Sequence, residues 1–559
     1  MINPIKNKLF FSSSIPMYGQ VDSKNSESNS ISDNESKISQ NVGSVYDMKK
    51  SSVYKDPNVI HTSWFYINDL HGKMTKMERI YNMAKEFENM QLMGDGSFFK
   101  DVNKDDISKF KVSSGDISIG TNFNNNTVAA RFLDWSGFLA SALGNHEMDV
   151  VEPNNLAALM TNTGCKMLAL NVEVKQGSPL NGRFEKSIVV EKNGEKYGIM
   201  GIAPSDMFER VKVNDSLNDI KVQNVEDTIK SIQAEVDKLK SQGINKIILL
   251  SHSGQSNDKR IISEVDGIDI IFGGHTHELI KGIEEGKNLL YSKSGEPVIL
   301  TQAGKNGDNV GILNVDFDKN GVIIKAQNNI IATAPYNRPL PIKDSVEKII
   351  GKPEIVGKVN TAVPMPKNIL IEDNPHGNLI ADAMRTELDA DIAILNTANI
   401  RGCFTSGSEV DSRLLGDISP FEDKMMLLNL SEKQIVDAIK VGLETSFNNK
   451  AHKPGILLVS GMRYKCNTKG ELLSLEYIDR ENKSHPIDVK NPSPDKKYTV
   501  AADDFFATGG DNYLPTNPNP DFVLKTLDYD KNKMACDYIK KLPQPFDVKY
   551  DGRLEIVEA

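Results

Sequence analysis

Cysteine is scarce in this sequence of 559 residues. The four cysteines are widely dispersed along the chain; they are Cys165, Cys403, Cys466 and Cys536. This spacing excludes a Cys-x-x-Cys zinc knuckle, and four dispersed cysteines in so long a chain do not resemble the disulfide framework of a small secreted domain. We therefore expect reduced thiols, although the sequence leaves open that two of them pair in space.

The sequence also lacks a long apolar run and a positive net charge. A membrane-spanning helix needs about 20 consecutive apolar residues, and no such stretch occurs. The formal net charge is -10 at pH 7, so no overall positive field attracts nucleic acid. Near the N-terminus, Lys6 and Lys8 precede an apolar run over residues 9–11 only, whereas a secretory signal core has roughly 7–15 residues. We therefore expect no membrane span and no nucleic-acid polymer as a partner, and a cytoplasmic location is favoured over export.

The chain has the composition of a globular protein, with 39% hydrophobic and 25% charged residues. Its length exceeds what one hydrophobic core usually supports, so we expect at least two domains. The N-terminal segment differs, because residues 20–55 are rich in Ser, Asn, Lys and Glu and have almost no apolar periodicity. Such a segment buries too little apolar surface to offset its ordering entropy. The sequence therefore predicts a disordered N-terminal tail over residues 1–56.

Short apolar runs alternate with helical patterns over residues 57–335, which indicates an α/β domain. The clearest helical pattern covers residues 225–239, with Asn224 to cap it, and the strand-like run INKIILL follows. Three prolines then flank one short helical pattern, so residues 336–356 are predicted to form an interdomain linker helix and a candidate hinge. A second α/β domain is predicted over residues 357–559.

Polar side chains follow the ends of several apolar runs in the first domain. They are Asp69, His71, Asp116, Asn145, His146, His252, His275 and His277. Taken alone, each position is explained more simply as part of a turn. However, five of the nine histidines fall in these short segments. The carboxyl edge of an α/β sheet is where such side chains meet a ligand. A set of Asp, His and Asn without thiolates suits divalent Zn, Mn, Co or Mg, and a carboxylate that bridges two such ions is a known arrangement for phosphoester chemistry.

The order of these motifs, D-x-H, G-D, G-N-H-E, S-H and G-G-H-x-H, resembles that of the calcineurin-like metallophosphoesterase family. The run GNHEMD together with a second domain resembles the 5′-nucleotidase and UDP-sugar hydrolase branch. The matching segments of the second domain are NPHGNLIADAMR, ADIAILNTANIR, GDISPFED, LVSGMRY and YTVAADDFFATGGDNY. The resemblance extends from residue 57 to near residue 550. It implies an α/β (α+β) fold class, with a metallophosphoesterase β-sandwich flanked by helices and then a second α/β substrate-binding domain.

The same resemblance implies two divalent metal ions and assigns their ligands by motif. The first ion would be held by Asp69, His71, Asp116 and His277. The second would be held by Asp116, Asn145, His252 and His275, so that the shared aspartate bridges the ions. His146 matches the catalytic histidine and Asp149 its partner, while Glu147 is expected to be structural or solvated. An imidazolium held by a carboxylate can stabilise or protonate the oxygen that leaves a phosphate.

In the second domain the resemblance assigns contacts to a nucleotide substrate. Phe421 and Phe505 match an aromatic pair that sandwiches the nucleobase, and plain core packing is the alternative for both rings. Asp511 matches a ribose contact. Asn396 matches a base-edge contact and Arg401 a phosphate contact.

The sequence departs from the family pattern upstream of NPHGN. Many members have one or two arginines there, whereas no arginine occurs here between Arg338 and Arg385, and only Lys367 lies close by. A lysine offers a point charge in place of a planar bidentate donor, which leaves the identity of the substrate open. His376 in the same segment could substitute as a donor, but a solvated loop histidine is the favoured expectation.

The implied function is a two-metal-dependent phosphohydrolase of nucleotides. In its simplest form this is a 5′-nucleotidase of nucleotide catabolism, which converts a nucleoside 5′-monophosphate to nucleoside and phosphate. The enzymatic alternatives are a UDP-sugar or other nucleotide pyrophosphohydrolase and a 2′,3′-cyclic-nucleotide phosphodiesterase, although the cyclic branch tends to carry Asn where this chain has Asp149. A catalytically idle nucleotide-binding or surface-interaction protein is the alternative from another class, and the complete ligand set argues against it.

Overall fold

The described part of the chain begins close to the end of the predicted tail. A computed structural model describes residues 40–41, 46–47, 59–92, 98–161, 163–211, 213–333, 342–421, 423–448, 455–517 and 520–559. The predicted tail, residues 1–56, lies outside these ranges except for two short strands. Its disorder therefore stays a prediction.

In the first region, residues 40–333, the part of the chain that the structure describes forms two main sheets. Its strands are β1 (Gln40–Asn41), β2 (Tyr46–Asp47), β3 (Ile60–Ile67), β4 (Ile107–Ser113), β5 (Ala140–Ala142), β6 (Lys166–Leu168), β7 (Val172–Val174), β8 (Ser187–Lys192), β9 (Glu195–Ile202), β10 (Ile220–Val222), β11 (Ile247–Ser251), β12 (Ile270–Gly273), β13 (Leu289–Tyr291), β14 (Pro297–Thr301), β15 (Asn309–Phe317) and β16 (Ile323–Ala332). The larger sheet has the order β1-β16-β15-β3-β4-β5-β6, with β2 also on β16, and the smaller one has the order β13-β14-β12-β11-β9-β8. A separate two-stranded sheet joins β10 and β7.

Helices flank these sheets. They are α1 (Met74–Glu88), α2 (Phe123–Trp135), α3 (Pro153–Leu159), α4 (Met207–Arg210), α5 (Asp215–Asn218), α6 (Val225–Ser241) and α7 (Gln255–Glu264). The helix predicted over residues 225–239 is confirmed by α6, and Asn224 caps it by accepting a hydrogen bond from the Asp227 N–H at 2.9 Å. The apolar run that follows it is β11, a buried central strand, as expected.

Aromatic side chains join the inner faces of the two sheets. Trp64 of β3 stacks on Phe110 of β4 with ring centroids 4.1 Å apart. The same indole meets Tyr197 of β9 at 6.2 Å and Phe272 of β12 at 5.9 Å, both from the smaller sheet. All four side chains are buried, and large aromatic surfaces of this kind dominate core energetics. The two sheets therefore share one core, as in a β-sandwich.

In the second region, residues 355–559, the described residues form three sheets. Its strands are β17 (Ile355–Ala362), β18 (Ile392–Asn396), β19 (Glu409–Asp411), β20 (Lys424–Ser431), β21 (Leu457–Ser460), β22 (Met462–Asn467), β23 (Leu472–Ile478), β24 (Ser484–Ile487), β25 (Lys497–Asp503), β26 (Val523–Asp530), β27 (Phe546–Val548) and β28 (Leu554–Val557). The sheet orders are β19-β17-β27, β21-β18-β25-β20-β26 and β24-β23-β22-β28. The helices from residue 342 onward are α8 (Lys343–Ile350), α9 (Pro375–Glu387), α10 (Ser412–Ile418), α11 (Glu432–Asn448), α12 (Asp504–Ala507) and α13 (Lys531–Lys541).

The first helix of the first region is capped by a side chain of the second region. Asp417 of α10 accepts hydrogen bonds from the Met74 N–H at 3.2 Å and from the Thr75 hydroxyl at 2.7 Å. Lys73, whose side chain does not cap α1, donates from Nζ to the main-chain oxygen of Asp417. Because the N-terminus of a helix favours an anion, this contact ties the two regions together beside the loop that carries His71.

The predicted linker contains one described helix. α8 lies within residues 336–356 and packs against α2 of the first region. The predicted domain boundaries and the hinge motion stay predictions. Across the described ranges, no helix combines the length and the apolar character that crossing a membrane requires.

Candidate active site

Five strands bring the predicted metal ligands to one place. β3, β4 and β5 are parallel neighbours in the larger sheet, and β11 and β12 are parallel neighbours in the smaller one. The loops after their carboxyl ends carry Asp69, His71, Asp116, Asn145, His146, His252, His275 and His277. Both sheets of the sandwich therefore contribute side chains to the same edge.

Several of these residues have a left-handed backbone. The φ angles are +50° at Asp69, +51° at His71, +53° at Asp116, +74° at His275 and +60° at His277. Twelve non-glycine residues in the described ranges have positive φ, and these five are among them. Such a conformation costs about 1–3 kcal/mol per residue and persists only where the surrounding structure holds it. Backbone strain is thus concentrated at this edge of the sandwich.

Histidine nitrogens converge on two buried carboxylates. His277 Nε2 lies 3.3 Å from Asp69 Oδ1, while His71 Nε2 lies 3.6 Å from Asp116 Oδ2. His252 Nε2 lies 3.1 Å from Asp116 Oδ2 and 3.8 Å from Asp69 Oδ1. The side chains of Asp69 and Asp116 are buried, so their charges are held outside bulk water. The structure therefore brings together five of the seven predicted ligands around these two carboxylates.

The ring orientation of two histidines tests whether this cluster fits a metal. His252 Nδ1 donates to the Ser114 carbonyl oxygen at 2.6 Å, and His71 Nδ1 contacts Asn306 Oδ1 at 3.0 Å. The Nε2 atoms of both rings are buried and have no hydrogen-bond partner among the described residues. Burial lowers the pKa of His71 to about 4, so its Nε2 carries a lone pair at neutral pH. A ring-nitrogen lone pair that faces carboxylate oxygens is favourable only when a cation lies between them. The Asp and His side chains of this cluster are ligands that fit a divalent metal ion.

The other two predicted ligands lie beside an aspartate that the sequence analysis missed. His275 Nδ1 is 3.0 Å from Asn145 Oδ1, and its Nε2 is 3.3 Å from the Asp206 carboxylate. Burial raises the pKa of Asp206, but hydrogen bonds with His275 and Arg210 outweigh it and the net pKa is lowered. Asp206 follows β9, a parallel neighbour of β11. Asp206 follows an apolar run, as the predicted ligands do, but as a single aspartate it forms no motif. Asn306, which was also missed, follows no comparable motif.

His146 lies next to this cluster and is held by its predicted partner. Its Nδ1 is 2.8 Å from Asp149 Oδ2, an oxygen that also accepts a hydrogen bond from the Gly120 N–H at 2.8 Å. The main-chain N–H of His146 donates to Asp116 Oδ1 at 2.8 Å. Burial lowers the pKa of His146, but the charges of Asp149 and Asp116 outweigh it and the net pKa is raised. The pair can therefore hold a proton beside a reacting group.

Glu147 braces the loop that carries Asp116. Its buried carboxylate accepts hydrogen bonds from the main-chain N–H groups of Asp116 at 3.0 Å, Ile117 at 2.8 Å, Ser118 at 3.1 Å and Gly144 at 2.8 Å. The expectation of a structural role for Glu147 is confirmed, and the alternative of a solvated side chain is wrong.

The predicted substrate residues lie at one edge of the five-stranded sheet in the second region. β18 and β25 are parallel; Asn396 ends β18, and Phe505 and Asp511 follow β25. β20 is antiparallel to β25, so Phe421, which precedes β20, lies at the same edge. The Asn396 side-chain oxygen accepts a hydrogen bond from the Asn399 N–H at 2.9 Å. Part of the Phe505 side chain packs against the core, as the core-packing alternative expects.

Phe421 and Arg401 bring this edge close to the cluster of the first region. The Phe421 ring centroid lies 6.4 Å from that of His146, and Arg401 Cζ lies 5.6 Å from the Phe421 centroid. Gly120, with φ +73°, packs so closely on Pro420 that a Cβ atom there would collide with the Pro420 carbonyl group. The residues predicted for chemistry and for nucleotide binding are thus adjacent in the structure.

His376 corrects one expectation. It is buried in α9, where its Nε2 donates to the Val363 carbonyl oxygen at 3.1 Å and its Nδ1 accepts from the Phe404 N–H at 3.2 Å. The expectation of a solvated loop histidine is therefore wrong. Both ring nitrogens are used by the backbone, and burial lowers the pKa of His376 to about 4. Lys367, in contrast, is exposed.

Two family models match the chain. The model for calcineurin-like phosphoesterase matches residues 65–279, and the model for the 5′-nucleotidase C-terminal domain matches residues 355–516. The 5′-nucleotidase of Mus musculus is 27% identical over 467 residues, 77% of this chain and 78% of the relative, and that of Homo sapiens is 28% identical over 428 residues, 69% and 71%. The trifunctional nucleotide phosphoesterase protein of Bacillus subtilis is 25% identical over 564 residues, 90% of this chain, but the chain spans only 35% of that relative.

Solved structures share the fold. The 5′-nucleotidase precursor from Thermus thermophilus superposes with a TM-score of 0.65 at 21% identity, covering 89% of this chain and 99% of that chain. A sulfate thiohydrolase from Thermus thermophilus gives 0.61 at 14% identity, covering 90% and 98%. At these identities the likeness concerns the fold, and it confirms the predicted metallophosphoesterase sandwich followed by a second α/β region. The reaction has to be argued from the site itself.

The brace formed by Glu147 can be tested by Glu147→Gln. The change replaces one carboxylate oxygen with an NH2 group that faces main-chain N–H donors, which should lower the free energy of unfolding by about 1–3 kcal/mol. We also expect a lower metal content, because the loop of Asp116 loses its support. Urea unfolding of metal-free protein and elemental analysis of metal-loaded protein measure the two effects. Glu152→Gln, at an exposed position nearby, is the control, and equal stability of both variants would contradict the role of Glu147.

The buried His376 should make stability depend on pH. Its pKa is about 4 in the fold and about 6.5 in an unfolded chain. The unfolded chain therefore binds the proton more tightly, so stability is complete above pH 6.5 and falls as the pH drops toward 4, by at most about 3 kcal/mol. Unfolding of wild type and His376→Gln across this range should show a shallower pH dependence in the variant. If the free energies of unfolding of the two proteins change in parallel with pH, the lowered pKa of His376 is refuted. The difference between the two free energies at pH 7.5 measures the change in packing alone.

Proposed function

Because the chain belongs to the 5′-nucleotidase family of calcineurin-like phosphoesterases and is thus a hydrolase of phosphoric esters, we propose that it releases phosphate from nucleoside 5′-monophosphates. The approach of Phe421 to His146, with Arg401 over the Phe421 ring, is the observation that supports this most. It puts an aromatic face and a cation from the second region beside the polar cluster of the first. These are the groups that a base and a phosphate need at the same time.

We further propose that the polar cluster holds two divalent ions. The first would be held by Asp69, His71, Asp116 and His277, and the second by Asp116, Asn145, His252 and His275. Ligand atoms of Asp69, His71 and His277, and likewise of Asp69, Asp116 and His252, already lie within 4.8 Å of one another. Ions bound there would neutralise phosphate charge and make water a stronger nucleophile. Zn, Mn, Co and Mg all suit this donor set.

His146 is the proposed proton donor to the leaving oxygen. Asp149 fixes the imidazole through Nδ1, so the other ring nitrogen is the one that can give a proton to the departing alkoxide. Gly120 in turn holds Asp149 through its N–H. The position of the imidazole therefore depends on hydrogen bonds from two loops.

The second region supplies the proposed contacts to the rest of the nucleotide. Arg401 would meet the phosphate, and its guanidinium is steadied by a hydrogen bond from Nε to the Ala398 carbonyl oxygen at 2.7 Å. Phe421 and Phe505 would sandwich the base, with Asp511 at the ribose. Asn396 would contact the edge of the base. These roles come from the motif and from the common sheet edge on which the residues lie.

A substrate panel tests the proposed reaction. After chelation, the protein should lose activity, and addition of Mn²⁺, Zn²⁺, Co²⁺ or Mg²⁺ one at a time should restore phosphate release from AMP. UDP-glucose and 2′,3′-cyclic AMP represent the pyrophosphohydrolase and cyclic phosphodiesterase alternatives. Phosphate release would be measured directly for AMP, and product formation by chromatography for the others. If the metal-loaded protein cleaves only UDP-glucose or the cyclic nucleotide, the 5′-nucleotidase proposal is wrong. The cellular location stays a prediction.

His146→Ala tests the role of the imidazole. We expect kcat for AMP to fall by about 10²–10⁴-fold, the usual contribution of a positioned acid or base, with little change in bound metal. A matched control is His485→Ala, because His485 also pairs with an aspartate, Asp479, at 2.7 Å but lies at a surface of the second region. That variant should retain wild-type kcat. Wild-type turnover in His146→Ala would remove the proposed role.

A further inference from the structure

A buried lysine in the second region has no part in the function proposed above. Lys531 begins α13, and its side chain is fully buried. Its Nζ lies 3.1 Å from Asp423 Oδ2. Burying an ammonium group is costly unless it is paired, so this position calls for an account of what the charge does there.

Lys531 lies where three strands of the five-stranded sheet reach one edge. In the register of the sheet, Met425 of β20 is opposite Asp503 of β25, and Lys424 of β20 is opposite Asp530 of β26. Asp423 therefore precedes β20, Asp503 ends β25 and Lys531 follows β26, all at this edge. Burial and the charge of Asp423 raise the pKa of Asp503 to about 6, while the charge of Lys531 lowers it. We call Lys531, Asp423 and Asp503 the ammonium cluster.

Each aspartate of the ammonium cluster is two residues from one of the aromatic side chains. Phe421 precedes Asp423, and Phe505 follows Asp503. The Asp503 carboxylate also accepts a hydrogen bond from the Phe506 N–H at 2.8 Å and so caps α12, the short helix that carries Phe505.

A second contact from α13 holds the other aromatic loop. Asn532 Nδ2 donates to the Ser419 carbonyl oxygen at 2.8 Å, two residues before Phe421. Adjacent residues of one helix thus fix the Phe421 loop at both of its ends, through Asn532 on one side and Lys531 on the other.

We propose that Lys531 is a positioning residue that sets the separation of Phe421 and Phe505, and with it the width of the slot for the flat base of a nucleotide. This inference rests on the proposed function. Stacking depends on ring separation, and each stacked base contributes a large share of nucleotide affinity. Without the ammonium group, Asp423 loses its partner at 3.1 Å, so the Phe421 loop is no longer held to the start of α13. The two loops then move apart and the base loses contact with at least one ring.

Lys531→Met in the full chain tests this, with AMP compared against p-nitrophenyl phosphate, an ester that has no base. We expect KM for AMP to rise about tenfold or more, while kcat/KM for p-nitrophenyl phosphate stays within twofold. Lys533→Met is the matched control, because Lys533 is on the same helix but is 60% exposed and pairs with Asp537 at 3.9 Å. It should leave both substrates unchanged.

Asp423→Asn is a second variant that keeps the size of the side chain in case Lys531→Met does not fold. It should raise KM for AMP selectively as well, and by less, since Asp503 still faces the lysine. Equal losses for both substrates indicate a merely structural role and overturn the proposal, as does an unchanged KM for AMP.

Calorimetric binding of adenosine to metal-loaded wild type separates this result from failure of the proposed function. Adenosine binding that Lys531→Met weakens supports the inference even if AMP is not cleaved, and wild type that binds no adenosine overturns it.

Discussion

Two buried carboxylates, Asp69 and Asp116, impose the constraint on which the rest of the first region depends. Like charges placed together outside bulk water are costly, and hydrogen-bond donors and nearby cations offset that cost. Two of the histidines around them are oriented by contacts at Nδ1, the ring nitrogen that faces away from the carboxylates. The Ser114 carbonyl oxygen contacts Nδ1 of His252, and Asn306 Oδ1 contacts Nδ1 of His71. The nitrogen atoms left over therefore point at the carboxylates. The left-handed backbone at both aspartates adds strain, which the sandwich must hold in place. A cation between the carboxylates and the ring nitrogens offsets the charge repulsion, and this is the physical argument for a metal centre.

None of the predicted ligands is Phe, Tyr or Trp, so in the proposed function the aromatic contacts to the base come from the second region. Three contacts bring that region close. Asp417 caps α1 next to His71, Pro420 packs on Gly120, and Phe421 approaches His146. Residues 417 to 421 thus form a short continuous segment that contacts the first region at several points. Motion of one region against the other would have to break the Asp417 cap and the Pro420 contact in the same step.

Much of the site could be predicted because its residues occur as short motifs at the ends of apolar runs. The carboxyl ends of parallel strands lie at one edge of a sheet, so these motifs come close together whatever conformation the loops adopt. The motif gave Asp69, His71, Asp116 and the later histidines, and the structure brings them together, while their roles as ligands stay proposals. Asp206 was missed because a lone aspartate after a strand is too common to stand out.

The error at His376 has a different cause. Val363 and Phe404, whose backbone groups bury its ring, are distant in sequence, so its burial depends on tertiary packing that no local pattern encodes. Backbone strain was equally invisible, because Asp and His adopt positive φ more often than most residues but only in a minority of cases, so residue type alone does not mark these positions.

The run GNHEMD shows how densely one segment can be used. A side chain at Gly144 would collide with Asp116, so glycine lets the loops after β4 and β5 approach each other. Asn145 faces His275, His146 turns toward Asp149, and Glu147 binds the backbone of both loops at once. Met148 is buried in the core of the first region and anchors the turn. Because each residue contacts a different neighbour, the segment cannot shift to favour one contact without loosening the others. That rigidity suits a site whose chemistry depends on distances between groups from separate strands.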